Sequence, residues 1–158
     1  MALAVDAVHA GGEWIRHAPH RSDLLGRAAT PTDGRWQHGE QVPGLYLAED
    51  AATAVAEWYR FLAELGIAPA RAVPHDHHLW RLDLELADLS SARQLASAGL
   101  PPPRPGRATW AGLIGPSAAR PDGRIACIFA ARWPPERCTP IRANEINETP
   151  PPPQGMTT

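Results

Sequence analysis

The sequence contains no lysine, only two cysteines and no long apolar run. Cys127 and Cys138 are too few for a disulfide framework, and no Cys-x-x-Cys spacing indicates a zinc site. No apolar stretch approaches the roughly 20 residues of a membrane-spanning helix, so we expect no membrane association. The N-terminal segment lacks a basic region and carries Asp6 within its apolar stretch, which does not fit a secretory signal. We therefore expect a soluble, cytoplasmic protein.

The net charge is only −2, so no long-range field favours nucleic acid or an anionic membrane as a partner. All fifteen basic residues are arginine, which codon bias in a GC-rich genome explains. Each arginine nevertheless offers a planar fork suited to phosphate or carboxylate. The sequence has no P-loop, no Gly-x-Gly-x-x-Gly after a strand and no nucleophile elbow, so those nucleotide-binding and hydrolase classes are excluded.

The length of 158 residues suits one domain with a single core. We expect an N-terminal arm over residues 1–12, whose Ala-rich first ten residues fray or form a short helix. The folded domain is expected over residues 13–145. Residues 146–158 are Pro-rich with nothing to bury, which predicts a disordered tail.

The clearest local signals lie in the middle of the chain. Gly44–Ala48 is a short strand candidate. Asp50 is a good N-cap for a helix that runs to about Leu65, and Gly66 is its stop. Apolar residues at helical spacing predict which face of this helix packs on the core.

Further elements interleave with these. Leu79–Leu86 alternates apolar and charged residues, which predicts a half-buried strand. The remaining predictions are a helix from Ser90 to Gly99, a helix around Ala108–Ile114 and a strand at Ile125–Ala130. This interleaving, with long irregular connections, predicts an α/β (α+β) fold, a compact single domain with a central sheet flanked by helices.

One histidine-rich segment, His75–Asp76–His77–His78, raises the question of a metal site. Adjacent residues point in different directions, and the sequence offers no obvious further ligands. We interpret the segment as a polar, exposed loop and predict no metal site.

Several short motifs follow one another in a distinctive order. They are Arg16 on a predicted strand, Gly34–Arg35–Trp36 with Gly39, Tyr46 on the next strand, Glu57 on the helix, and Pro116–Ser117. In this order and at about these intervals, residues 14–141 resemble the RES domain, named for its Arg, Glu and Ser. Gln37 stands where that family usually has Asn. The Asn-rich stretch that commonly follows Pro-Ser is absent from Arg120–Arg132.

The resemblance implies an ADP-ribosyltransferase-like fold with a partly split β-sheet, and an enzyme that attacks NAD+ without a metal. Glu57 and Arg35 would be catalytic, with Glu57 as the essential carboxylate. Arg16 and Arg35 would hold the phosphates and ribose, Tyr46 would lie against the nicotinamide, and Ser117 would support the ribose or nicotinamide. Because characterised relatives are toxins of RES–Xre pairs, the resemblance also implies an Xre-like antitoxin as partner.

Elementary chemistry agrees with these roles. Cleavage of the nicotinamide–ribose bond develops positive charge on the sugar, which a nearby carboxylate stabilises while it orients the acceptor. Arginine supplies the charge-assisted donors that a pyrophosphate needs. An aromatic face holds a flat ring in place.

Each residue also has a purely structural interpretation. Arg16 can be an ordinary edge arginine, Arg35 a solvated arginine after a turn, and Tyr46 a buried tyrosine with one hydrogen bond. Glu57 can form a surface pair with Arg60 at i,i+3, and Ser117 can cap a turn. The order of the motifs favours function for the set.

We therefore expect an NAD+-degrading enzyme that acts by hydrolysis or phosphorolysis, as the toxin of a toxin–antitoxin system. Two alternatives stay open. One is a protein ADP-ribosyltransferase, and the other is a non-catalytic RES-like module that binds a nucleotide or a partner. The sequence does not identify the acceptor.

Overall fold

The computed structural model describes residues 5–25, 36, 43–90 and 110–156. The strands of this part are β1 (Ala7–Pro19), β2 (Gly44–Ala48), β3 (His75–Asp88), β4 (Gly112–Pro116), β5 (Arg124–Phe129) and β6 (Cys138–Ile146). Helix α1 (Ala51–Leu65) lies between β2 and β3 in the chain, and short 3-10 turns occur at Pro69–Arg71 and Ala130–Arg132. The predicted mixed α/β single domain is confirmed. Among the described residues, no helix has the length and apolar character needed to cross a membrane.

The six strands form one sheet in the order β1-β2-β5-β4-β3-β6, and β1 also pairs with β3. One antiparallel group consists of β1, β3 and β6, and another of β2, β5 and β4. The groups meet through one residue pair between β1 and β2, Ile15 with Ala48, and a two-residue parallel pairing of β3 with β4. These short connections divide the sheet into two halves.

Helix α1 has the bounds that its local signals predict. Asp50 accepts a hydrogen bond from the backbone N–H of Thr53, which satisfies one of the free donors of the first turn. Gly66 ends the helix with φ 65°, a left-handed conformation that a β-carbon would strain. Strand β2 likewise has the predicted bounds.

The alternating segment of β3 builds the centre of the core. Its inward residues are Trp80, Leu82, Leu84 and Leu86, and the exposed ones are Arg81, Asp83 and Glu85. Trp14 on β1 faces Trp80 across the ladder, so two large aromatic residues lie side by side. Each large apolar side chain buried here contributes about 1.5–3 kcal/mol.

The histidine-rich segment is not an exposed loop, and that prediction is wrong. All four residues belong to β3 and are buried. The physical reason is that β3 is paired on both edges, as His77 lies opposite His17 of β1 and Asn144 of β6. Across the described ranges, no three His, Cys, Asp or Glu side chains are placed to share a metal ion.

Residues 112–114 form a strand where a helix was predicted. Gly112 begins β4, which pairs with β5 along its whole length. A short apolar run fits a helix or a strand equally well, and the position of Leu113 and Ile114 between β3 and β5 decides for the strand. The predicted Ser90–Gly99 helix lies outside the described residues except for Ser90, and residues 108–109 of the other predicted helix lie outside them as well.

Both ends of the described chain are more ordered than the sequence predicts. Ala7–Gly12 belongs to β1 and pairs with β3, because Val8 and Ala10 alternate inward as a strand requires. The Pro-rich tail packs back on α1: Tyr59 donates its hydroxyl hydrogen to the carbonyl of Pro150 at 2.6 Å. Met156 packs against the cluster of Trp58, Tyr59 and Leu62. The domain boundaries themselves stay a prediction.

Candidate active site

A cleft of about 950 Å³ is lined by α1 together with strands β1 and β2. Its volume lies in the range of about 300–1,000 Å³ that small-molecule sites occupy. Of the residues singled out in the sequence, the cleft-lining ones are Arg16, Trp36, Tyr46, Glu57 and Pro116. Arg16, Tyr46, Glu57 and Pro116 come from β1, β2, α1 and the end of β4, and Trp36 lies between β1 and β2 in the chain. The fold therefore brings together segments that are far apart in the chain.

Glu57 lies in the second turn of α1, and its side chain is 21% exposed. Its Oε1 accepts a hydrogen bond of 2.6 Å from the hydroxyl of Ser117, which is 60 residues further along the chain. The Arg60 guanidinium is 3.9 Å from Oε2, at the long limit for an ion pair. The short Ser117 contact fixes the carboxylate more firmly than the i,i+3 pair does.

Ser117 follows β4 and is 6% exposed. Its Oγ accepts hydrogen bonds from the backbone N–H groups of Ala119 and Arg120, at 3.1 and 3.0 Å. With its oxygen engaged as an acceptor, the hydroxyl directs its single hydrogen to Glu57. Ser117 therefore caps a turn and orients the carboxylate of Glu57 at the same time, and it is not among the residues that line the cleft. Its predicted contact with the ribose or nicotinamide stays a prediction.

Tyr46 lies in the middle of β2 and lines the cleft. Its hydroxyl oxygen accepts a hydrogen bond from the backbone N–H of Trp36 at 3.0 Å. The two rings are nearly parallel, with an interplanar angle of 9° and centroids 6.1 Å apart. Tyr46 thus presents an aromatic surface whose orientation is fixed from behind by Trp36.

Arg16 lies on β1 opposite His78 of β3 and also lines the cleft. Burial lowers the pKa of its guanidinium, which nevertheless stays charged at neutral pH. The cleft therefore holds a partly desolvated cation near the sheet, where it is more effective toward an anion than an exposed arginine. Arg35, together with Gly34, Gln37 and Gly39, lies outside the described residues.

The sequence did not indicate that His17, His75 and Trp58 also line this cleft. The ring of Trp58 stacks on His75, with centroids 4.3 Å apart, and His17 lies 5.7 Å from the ring of Phe61. Burial, reinforced by neighbouring charges, lowers the pKa of His17 and of His75 to about 4, so both are neutral at pH 7. Residues 75–79 do not alternate apolar and polar side chains and all five are buried, so the pattern that predicts Leu79–Leu86 gave no signal for this end of the strand.

The two cysteines do not supply a nucleophile. Both are fully buried in the sheet, and burial raises the pKa of Cys127 and of Cys138 to about 12. Because the thiolate is the reactive form, neither sulfur is activated at neutral pH.

Comparison with known proteins bears on the same segments. Residues 6–140 match the family model described as RES: RES domain, as the order of the motifs predicts. The fold is also similar to a chain of the crystal structure of the M. tuberculosis MbcT–MbcA toxin–antitoxin complex. The TM-score is 0.70, at 16% sequence identity over 89% of this chain and 87% of that chain. At that identity the likeness shows the fold. No curated protein sequence matches the chain.

Proposed function

The chain belongs to the RES-domain family, and on that premise we propose that it cleaves the nicotinamide–ribose bond of NAD+. The observation that carries the proposal is the carboxylate of Glu57, held at 2.6 Å by Ser117 in a cleft that Arg16 and Tyr46 also line. A fixed carboxylate, a cation and an aromatic face are the three kinds of group that this reaction needs.

The bond change can be written for these residues. The C–N bond between ribose and nicotinamide breaks, and its electron pair leaves with the neutral nicotinamide. Glu57 stabilises the positive charge that develops on the sugar, and an oxygen of the acceptor forms the new bond and loses its proton. Arg16 binds the pyrophosphate, and Tyr46 packs against the nicotinamide. Arg35 shares the catalytic and phosphate-binding roles that the family resemblance implies.

The acceptor is water in hydrolysis or phosphate in phosphorolysis. Purified protein should therefore be incubated with NAD+ in the presence and in the absence of phosphate, and the products identified by mass. We expect free nicotinamide in at least one condition, with ADP-ribose or its phosphorylated form as the second product. If NAD+ survives unchanged in both, the proposal is wrong and the non-catalytic module is favoured. Labelled proteins in a lysate incubated with labelled NAD+ would instead identify a protein ADP-ribosyltransferase.

The role of Glu57 has a matched test. Glu57→Gln keeps the size of the side chain and its hydrogen bond to Ser117 but removes the charge. We expect its kcat to fall by about a hundredfold or more, with the thermal midpoint nearly unchanged. Glu85→Gln is the control, because Glu85 is 55% exposed on β3 and does not line the cleft. Equal activity of Glu57→Gln and wild type would exclude the carboxylate from the chemistry.

The cellular role follows from the same premise. We propose that the chain is a toxin and that an Xre-like antitoxin restrains it, supported by its likeness to a chain of a toxin–antitoxin complex. Expression in the cytoplasm should then arrest growth and deplete NAD+, and Glu57→Gln should do neither. Arrest by Glu57→Gln as severe as that by wild type would contradict this role.

A further inference from the structure

Two arginines join the turn after β4 to the beginning of α1, outside the cleft. Arg120 donates from Nη1 to both carboxylate oxygens of Asp50, at 2.9 and 3.1 Å, and to the Oγ1 of Thr53 at 3.2 Å. Its Nε and Nη2 contact the carboxylate of Asp122, each at 3.0 Å. One guanidinium therefore connects the N-cap and first turn of α1 to its own turn. We call Arg120, Arg124, Asp50 and Glu49 the arginine clamp.

The second half of the clamp consists of hydrogen bonds between Arg124 and Glu49. The backbone N–H of Arg124 donates to Oε1 of Glu49 at 2.8 Å, and its Nε donates to Oε2 at 2.7 Å. In return, the backbone N–H of Glu49 donates to the carbonyl of Arg124 at 3.1 Å. Three hydrogen bonds thus hold the residue before the N-cap against the first residue of β5.

The two segments also approach too closely for a side chain between them. A β-carbon on Gly123 would collide with the Oγ1 of Thr53 and lie 2.9 Å from its Cγ2. This contact is independent of the ion pairs and places the turn directly against the first turn of α1. The ion pairs of the clamp therefore lie beside a close-packed contact between the turn and α1.

The same turn carries the hydroxyl that holds Glu57. Ser117 donates its backbone N–H to the carbonyl of Gly123 at 2.8 Å, and Gly123 donates to the carbonyl of Arg120 at 3.0 Å. The N–H of Arg120 donates in turn to the Oγ of Ser117. Glu57 is two helical turns beyond Asp50 on the same helix, and Ser117 belongs to the turn that Arg120 holds. The clamp therefore positions both residues of the Ser117–Glu57 hydrogen bond.

From this geometry we infer that Arg120 is a positioning residue for Glu57: it acts through Asp50 and Ser117 and has no contact with the substrate. The inference rests on the proposed function. The Arg120–Asp50 pair is partly exposed, with 30% and 48% of the two side chains accessible, so it contributes little to stability. A displacement of about 1 Å in a catalytic group costs up to about a hundredfold in rate. Loss of the clamp therefore reduces turnover far more than it reduces stability.

The test is a double-mutant cycle. Arg120→Gln removes the guanidinium, and Asp50→Ser removes the partner charge but keeps a good N-cap. We expect each variant to lower kcat about tenfold or more, with the KM for NAD+ within about twofold and the thermal midpoint within about 3 °C. The double variant should lose no more kcat than Arg120→Gln alone, because the charge of Asp50 acts through Arg120. Arg120→Lys should recover part of the loss.

Arg142→Gln is the matched control, because Arg142 is exposed on β6 and its side chain donates to Asn144 of the same strand. Its kcat should equal that of wild type. Unchanged kcat in Arg120→Gln would overturn the inference, and so would losses that multiply in the double variant. A rise in KM with constant kcat would also overturn it, since that would give Arg120 a direct role in binding.

Hydrogen–deuterium exchange separates this inference from the proposed function. If wild type leaves NAD+ intact, the proposed function fails, whereas exchange still reports on the clamp. Arg120→Gln should accelerate exchange in residues 117–124 and 50–57 and leave β6 unchanged. Unchanged exchange in both segments would show that Arg120 does not hold them together, whether or not the protein cleaves NAD+.

Discussion

Acid should destabilise this protein through two histidines that the fold keeps neutral. The pKa of His17 and of His75 is lowered from 6.5 to about 4, chiefly by burial. Neither ring nitrogen of His75 has a hydrogen-bond partner in the described structure, and its ring stacks on Trp58. Arg16 and His77 also lower the pKa of His17. His77 lowers the pKa of His75 as well, and Asp76 raises it.

The sign and the size follow from linkage. Between pH 6.5 and about 4 the unfolded chain binds a proton at each site that the folded chain does not, so the free energy of unfolding falls as the pH falls. At about 1.4 kcal/mol per pH unit, each histidine accounts for a loss of about 3 kcal/mol. The loss is absent above pH 6.5 and complete near pH 4. Each loss is a substantial part of the total of about 5–15 kcal/mol that stabilises a typical folded domain.

Urea unfolding, followed by tryptophan fluorescence at pH 7.5, 6.5, 5.5 and 4.5, measures this slope. His17→Gln removes one titrating group, and His75→Phe removes the other while it keeps an aromatic ring against Trp58. Each variant should flatten the dependence by up to about 1.4 kcal/mol per pH unit. His9→Gln is the control, because His9 is 55% exposed. A slope equal to wild type in both variants would show that neither His17 nor His75 causes the acid destabilisation.

Three further perturbations test local features. Gly66→Ala places a β-carbon in the left-handed C-cap and should cost about 1 kcal/mol in chemical denaturation; no loss would mean that the helix ends differently in solution. Tyr59→Phe removes the hydrogen bond to Pro150 and should cost about 1 kcal/mol and expose the tail to proteases, whereas unchanged cleavage would show that this bond does not hold the tail. Ser117→Ala removes the donor to Glu57 and should lower kcat about tenfold or more with little change in the KM for NAD+, and a KM effect alone would instead indicate direct substrate contact.

Part of the site was predictable, because its signals are local. The order of Arg16, Tyr46, Glu57 and Ser117 indicates the family, and the helix that carries Glu57 is bounded by recognisable caps. The roles of these residues toward NAD+ stay predictions. The contact between Ser117 and Glu57 was not predictable, since a turn-capping serine and a helical glutamate give no sign of each other across 60 residues.

Local sequence signals are enough to predict β2, α1 and the alternating part of β3, because period-2 and period-3.6 patterns, an N-cap and a C-cap act within a few residues. Tertiary structure alone decided that His75–His78 is buried, that Gly112–Ile114 is a strand, and that β6 and the Pro-rich tail have partners. In each case the deciding interaction is made with a segment that is distant in the chain. That segment pairs with the polar backbone or packs on a side chain, and local sequence patterns do not show that it will do so. The arginine clamp is of the same kind: its residues are ordinary surface charges until the fold places the turn after β4 against the first turn of α1.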